Sequence, residues 1–206
     1  MSKFGTRTAG RSLFFCMLAL TFMAFAESQA RADTITFSTA GSFSGTNTNT
    51  ITFGSGGNTL TLTFTGIGPS TVENSTFASF GTITTSTTGS GAEITPGTTL
   101  TINITQTSPS PGAGFLSGPV SGTISQNRSI GEVVFFVPST TIDGLYFYSV
   151  VNNLLTLAPP STNGGNTTVQ GQVTNLIPEP ATLLLFGTGL SGLAAAVRGR
   201  RKTRGA

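Results

Sequence analysis

Glu73, Glu93, Glu132 and Asp143 are the acid–base side chains that the middle of this chain offers to chemistry. There is no histidine anywhere, and the single cysteine, Cys16, lies close to the N-terminus. Without imidazole or a second thiol, a Ser-His-Asp triad, a Cys-His dyad and the usual zinc sites are excluded. What remains is paired-carboxylate work of the kind glycosidases do, which needs two acids across a cleft. None of the four sits in a recognisable motif, and isolated acids on strand edges and turns are generally solvated. The expectation is therefore a non-enzymatic protein with no catalytic residue, no cofactor and no metal ligand. Asp143-Gly144 lacks the spaced acids and amides of a calcium loop. Gly54-Ser55-Gly56 lacks the third glycine and following helix of a nucleotide fingerprint and reads as a hairpin turn.

Two patterns have the chemistry of binding. Tyr146 and Tyr148 in "LYFY" lie two apart, so on a strand they share one face. They either stack on sugar rings or pack in the core opposite Leu145 and Phe147, and the amphipathic character of Tyr, in a chain without Trp, favours packing. Thr59, Thr61, Thr63 and Thr65 alternate with Leu60, Leu62 and Phe64, which spaces the hydroxyls at about 6.6–6.8 Å along a strand. Ice-binding surfaces use such rows, but one strand does not make an array, and Thr is also a good exposed strand residue.

The segment that must position these groups is Asp33 to Ile177, 145 residues, enough for one domain burying about two-thirds of its unfolded surface. Its composition differs from that of the ends. The whole chain is formally +3, yet between Asp33 and Ile177 only Arg128 faces five acids, for a net −4. A nucleic-acid partner needs clustered Lys and Arg, so none is expected. Thr, Ser, Asn and Gly dominate, and short β-branched or aromatic bursts are separated by turn residues such as Ser108-Pro109-Ser110-Pro111-Gly112 and Asn163-Gly164-Gly165-Asn166.

The bursts are "TITFST" from Thr34, "TITFG" from Thr50, "NTLTLTFTG" from Asn58, "TFASFGTITTST" from Thr76, "TTLTINITQT" from Thr98, "VSGTISQ" from Val120 and "TTVQGQVT" from Thr167. The more apolar "IGEVVFFV" from Ile130 and "DGLYFYSVV" from Asp143 are placed in a sheet centre with both faces covered. Eight to ten strands follow, with no convincing helical period. An all-β fold is predicted over residues 33–175, an antiparallel β-sandwich or jelly roll.

The ends carry addresses. Lys3, Arg7 and Arg11 precede the apolar stretch Leu13 to Phe25, the layout of a secretory signal peptide over residues 1–32. Cleavage by signal peptidase fits after Ala30 or, better, after Ala32, where Ala stands at both small-residue positions. Phe14-Phe15 ahead of Cys16 argues against lipidation. The mature chain, starting near Asp33, then has no cysteine and no disulfide, and rests on its core alone.

At the other end, residues 176–206 hold Pro178-Glu179-Pro180, an uncharged run from Ala181 to Val197, and Arg198, Arg200, Arg201, Lys202 and Arg204. As a helix the run would be about 25 Å long, at the short end for a single transmembrane span. The basic tail, residues 198–206, favours the cytoplasmic side and leaves the β-domain outside the inner membrane. Gly187, Ser191 and Ala195 fall four apart, as do Thr188, Gly192 and Ala196, either a ridge for helix docking or the ordinary composition of a short span.

In their order, the tripeptide, the run "ATLLLFGTGLSGLAAAV" and the basic "RGRRK" resemble the PEP-CTERM sorting signal of exported bacterial proteins. The resemblance implies a partner, an exosortase-type membrane enzyme that processes the chain near the tripeptide. It makes Pro178, Glu179 and Pro180 the recognition motif, 181–197 a temporary anchor and Arg198 to Lys202 a stop signal. It also implies a destination, the cell surface or an exopolysaccharide matrix. The expected function is that of a surface or matrix protein, with a carbohydrate-binding module as the alternative and ice binding or a glycosidase behind it.

Overall fold

The computed structural model describes residues 34–73, 76–176 and 187–192. The first two stretches belong to one compact unit, Asp33–Leu176. Its strands are β1 (Ile35–Phe43), β2 (Thr50–Ser55), β3 (Asn58–Thr65), β4 (Ser70–Val72), β5 (Thr76–Thr88), β6 (Ala92–Glu93) and β7 (Thr99–Ser108). They continue with β8 (Gly112–Ser121), β9 (Thr123–Ile124), β10 (Glu132–Val134), β11 (Ser139–Ile142), β12 (Tyr146–Val150), β13 (Leu154–Thr156) and β14 (Asn166–Asn175). A 3-10 turn, Asn163–Gly165, precedes β14.

All pairings are antiparallel, as the short bursts and turns imply. One six-stranded sheet runs β13-β10-β8-β7-β1-β4, a second runs β11-β12-β14-β5-β3-β2, and β6-β9 form a small ribbon. The two large sheets enclose one core, to which Ile35, Phe37, Leu100, Ile102 and Ile104 contribute from the first and Leu60, Leu62, Phe64, Phe80 and Val173 from the second. Each fully buried Leu, Ile or Phe stabilises the fold by about 1.5–3 kcal/mol relative to exposure, and with no disulfide in the domain this burial is the main source of cohesion.

The alternation predicted for β3 is observed: Leu60, Leu62 and Phe64 are buried, while the threonines between them are half-buried or exposed. β2 and β3 meet in a two-residue turn, Gly56-Gly57, closed by the Ser55–Asn58 pair. Gly56 has φ 65° and Gly57 is outside the left-handed region, the pattern of a type II′ turn, which matches strand twist. The predicted hairpin is therefore present, shifted two residues from Gly54.

Three expectations are corrected. Among the described residues the strands number fourteen, not eight to ten, because several are only two to four residues long. β8 spans Gly112–Ser121, where a turn and then a strand from Val120 were expected; "VSGTISQ" is split between β8 and β9. Pro119 does not stop β8. Val120 donates to the Thr98 carbonyl at 2.8 Å, so residue 119 points its donor-less nitrogen away from β7 and costs that ladder nothing.

The third correction concerns the two apolar segments, neither of which is central. β10 and β12 are each second from an edge. Val133 and Phe135 face the core but Val134 and Phe136 are exposed; Tyr146, Tyr148 and Val150 are buried while Phe147 and Ser149 are half-buried. An unbroken apolar run thus hides ordinary one-sided alternation, with the outward residues left at the surface.

Candidate functional site: the hydroxyl face and the sorting tail

The outward side chains of β3 do not stand alone. Pairing sets Thr63 beside Thr50 of β2 and Thr84 of β5, and Thr61 beside Thr52 and Ser86. Thr59 lies beside Thr88, and Thr65 beside Thr82. The rows continue onto β14, where Asn166 meets Thr84 and Thr168 meets Thr82. Directly paired antiparallel residues share a face, so register alone assembles an uncharged patch of hydroxyls and one amide over four strands.

The hydroxyls hold one another. Thr50 and Thr63 are 3.2 Å apart, Thr52 and Thr61 3.0 Å, and Thr59 and Thr88 2.8 Å, while Thr84 donates to Asn166 Oδ1 at 2.7 Å. Each cross-strand pair contributes roughly 0.2–1 kcal/mol. A hydroxyl has one donor and two acceptor sites, so a Thr–Thr pair that spends one donor still offers one donor and several lone pairs outward.

The tyrosines share a face, and it is the core side. Tyr146 is 3% exposed and Tyr148 fully buried. Tyr148 packs edge-on to Phe37 of the opposite sheet, centroids 5.4 Å apart at 73°, and is tilted against Phe80 at 6.2 Å. Its hydroxyl donates to Gln106 Oε1 at 2.7 Å, and Gln106 Nε2 donates to the Ser110 carbonyl at 2.7 Å. Burial, with a smaller contribution from neighbouring Tyr146, pushes the Tyr148 phenol well above its ordinary value. Neither ring is offered to a sugar: of the two readings of Tyr146 and Tyr148, the core packing that the sequence favours is the one observed, and the weaker stacking reading falls away.

The four acids lie on separate elements. Glu73 follows β4 and is exposed, Glu93 is exposed on β6, Glu132 is half-buried on β10, and Asp143 is exposed in the turn between β11 and β12. Asp143 accepts from Ser110 Oγ at 2.7 Å, and its φ of 55° with Gly144 at 67° makes Asp143-Gly144 a hairpin turn. Among the described residues no three His, Cys, Asp or Glu converge. A shallow cavity of about 70 Å³ lies between Phe135, Val150, Val151, Asn152, Thr168 and Gln170, and none of these lining residues is an acid or base.

Of the tail, residues 187–192 are helical, and Ser191 Oγ donates back to the Gly187 carbonyl at 2.8 Å, so these two small residues lie one turn apart on one side. No described helix is long and apolar enough to cross a membrane. Residues 1–32 with Ala30 and Ala32, the motif Pro178, Glu179 and Pro180, the rest of the 181–197 run and the basic tail 198–206 lie outside the described residues.

Comparison with protein families supplies what geometry does not: residues 176–202 match the PEP-CTERM protein-sorting motif. The match covers the tripeptide, the apolar run and the basic residues through Lys202, in the order that the sequence resemblance rests on. It marks an exported protein sorted by an exosortase-type membrane enzyme. Neither curated proteins nor solved structures give a match to the chain.

Proposed function

We propose that this PEP-CTERM-bearing chain is a non-enzymatic component of the cell surface or exopolysaccharide matrix, delivered by its tail. The observation that carries the proposal is the sorting motif at residues 176–202. The signal peptide at residues 1–32 starts export, the run 181–197 holds the chain in the inner membrane with the basic tail cytoplasmic, and processing near Pro178-Glu179-Pro180 releases the β-domain outward. Catalysis in this scheme belongs to the processing enzyme, since the chain has no histidine and its only thiol leaves with the signal.

The hydroxyl face supports a matrix role in particular. A polysaccharide is itself a lattice of hydroxyls, and a patch of Thr, Ser and Asn without charge meets it with hydrogen bonds and no ion to desolvate. The alternative, a dedicated carbohydrate-binding module, loses its two stacking candidates to the core and rests on this face alone.

The test is the mass of the native protein. Intact-mass or C-terminal peptide analysis is expected to find a chain that begins near Asp33 and lacks everything beyond the tripeptide region. A mature chain still carrying "AVRGRR" would falsify the sorting scheme.

A further inference from the structure

The four outer strands of the two large sheets are unequally protected. β4 has three residues between Pro69 and Glu73, β13 has three and is followed by Pro159-Pro160, and β11 has four between Pro138 and Asp143. Short length, proline and charge are the devices by which sheet edges avoid pairing with another chain. β2 has none of them. Its six residues, TITFGS, carry no charge and no proline, and no charged residue occurs anywhere between Asp33 and Glu73.

Its backbone is also presented for pairing. Phe64 donates to the Asn49 carbonyl at 2.7 Å, which makes Asn49–Phe64, Ile51–Leu62 and Phe53–Leu60 the pairs that exchange bonds with β3. Thr50 and Thr52 therefore direct their amide and carbonyl groups away from β3. Among the described residues β2 pairs on this one side only. The Thr50 carbonyl takes the Thr48 hydroxyl at 2.6 Å, which leaves the Thr52 amide and carbonyl and the Thr50 amide as the open edge.

We propose that β2 is a self-association edge, on which a second copy of this chain pairs β2 to β2, antiparallel, about a two-fold axis at Thr52. In that register Thr52 exchanges both hydrogen bonds with Thr52 of the second copy. On the outer face Thr lies beside Thr, as Thr52 already does beside Thr61. On the inner face half-buried Ile51 lies beside Phe53 of the second copy, which covers it. The segment is its own complement, and this is why the occupant is a second copy: one strand satisfies backbone, hydroxyl face and apolar face at once, in an isologous contact that closes. The six-stranded sheet becomes a twelve-stranded one with a continuous hydroxyl face. This proposal does not depend on how the chain is sorted.

The full chain offers a direct test, because Cys16 is its only cysteine and lies in the signal. Residues that exchange both hydrogen bonds have Cα atoms about 5.5 Å apart, inside the disulfide range. Thr52→Cys, in producing cells treated with dioxygen and a copper catalyst, is expected to give a reducible species of twice the monomer mass on a non-reducing gel. Thr61→Cys, one strand inward, and Thr71→Cys, on the β4 edge, are expected to stay monomeric. Absence of the dimer with Thr52→Cys, an equal dimer with Thr61→Cys, or a disulfide to a different protein would overturn the proposal.

Thr52→Pro provides a second variant: on the backbone it deletes only an outward amide and leaves the β2–β3 ladder intact, and beyond that it gives up the exposed Thr52–Thr61 hydroxyl contact. In sedimentation of the exported protein, the native chain is expected as a dimer and Thr52→Pro as a monomer with an unchanged circular dichroism spectrum. A native chain that sediments as a monomer, or a Thr52→Pro variant with native spectrum that remains dimeric, overturns it equally.

Discussion

Tyr148 and Gln106 meet inside the core, hydroxyl to Oε1 at 2.7 Å, and join the second sheet to the first through a bond that neither sheet's own ladder supplies. Both side chains are buried and Gln106 passes the connection on to the Ser110 carbonyl. A core without disulfides thus gains a polar tie whose every member is satisfied, the condition under which buried polar groups are tolerated.

Removing the hydroxyl strands the amide. Tyr148→Phe keeps the ring contacts with Phe37 and Phe80 but leaves Gln106 Oε1 without its donor, and is expected to destabilise the domain by about 1–3 kcal/mol in denaturant unfolding. Adding Gln106→Leu to that variant is expected to restore part of the loss, because the buried Oε1 acceptor is gone and only the half-buried Ser110 carbonyl gives up a donor. Tyr148→Ala also opens a cavity between the sheets and is expected to cost about 3–5 kcal/mol. Any loss of polysaccharide binding in that variant would track its loss of folding.

The same tyrosine makes the domain sensitive to base. Burial raises the folded-state pKa of the phenol above its ordinary value of 10.0, so the native state keeps its proton where the unfolded chain gives it up. The unfolded state then binds fewer protons, and stability falls as pH rises. The contribution is whole below pH 10 and is lost progressively above it. Unfolding midpoints measured across this range should decline more steeply for the native protein than for Tyr148→Phe; parallel profiles would assign the base sensitivity elsewhere.

Space is as restrictive as hydrogen bonding at Gly171. This residue of β14 has ordinary backbone angles, yet a Cβ there would run into the Phe80 ring, itself held edge-on against Phe37 at 5.8 Å. Gly171→Ala is expected to cost about 1–3 kcal/mol through overpacking, read as a lower denaturant midpoint. Gly57, with nothing near its missing Cβ and no left-handed φ, is the contrast: Gly57→Ala should stay within about 0.5 kcal/mol of the native protein.

These residues also show where sequence reasoning reaches and where it stops. The period-two pattern of β3 is a property of one strand, and so Leu60, Leu62 and Phe64 are read inward without any structure. The hydroxyl face is not visible in that way: Thr61 acquires Thr52 and Ser86 as neighbours only through the register of two other strands, which tertiary packing decides. β8 was hidden for a different reason. Its glycines break up the β-branched and aromatic pattern that marks a strand in sequence, but Gly114 and Gly118 sit where a Cβ would meet Thr140 and the Val134 backbone, so they serve close approach within the fold. The sorting tail, by contrast, is linear information, read in the order of its parts, and no fold is required to see it.

That linear code makes a prediction separable from folding. Proline in general favours extended backbone, disfavours helix at the residue before it and lacks an amide donor, so the sequence predicts an extended segment at Pro178-Glu179-Pro180. If access to an extended segment is what the processing enzyme needs, Pro178→Ala with Pro180→Ala should leave the C-terminal run on most of the exported protein. Glu179→Ala tests recognition of the acid apart from backbone shape and should give the same defect if the carboxylate is contacted. In both cases the domain ends before the substitutions, at Leu176, so its unfolding midpoint should match the native one. Intact mass and membrane fractionation read the outcome: an unprocessed, membrane-retained chain is expected, and full processing of the double proline variant would show that the tripeptide's stiffness plays no part.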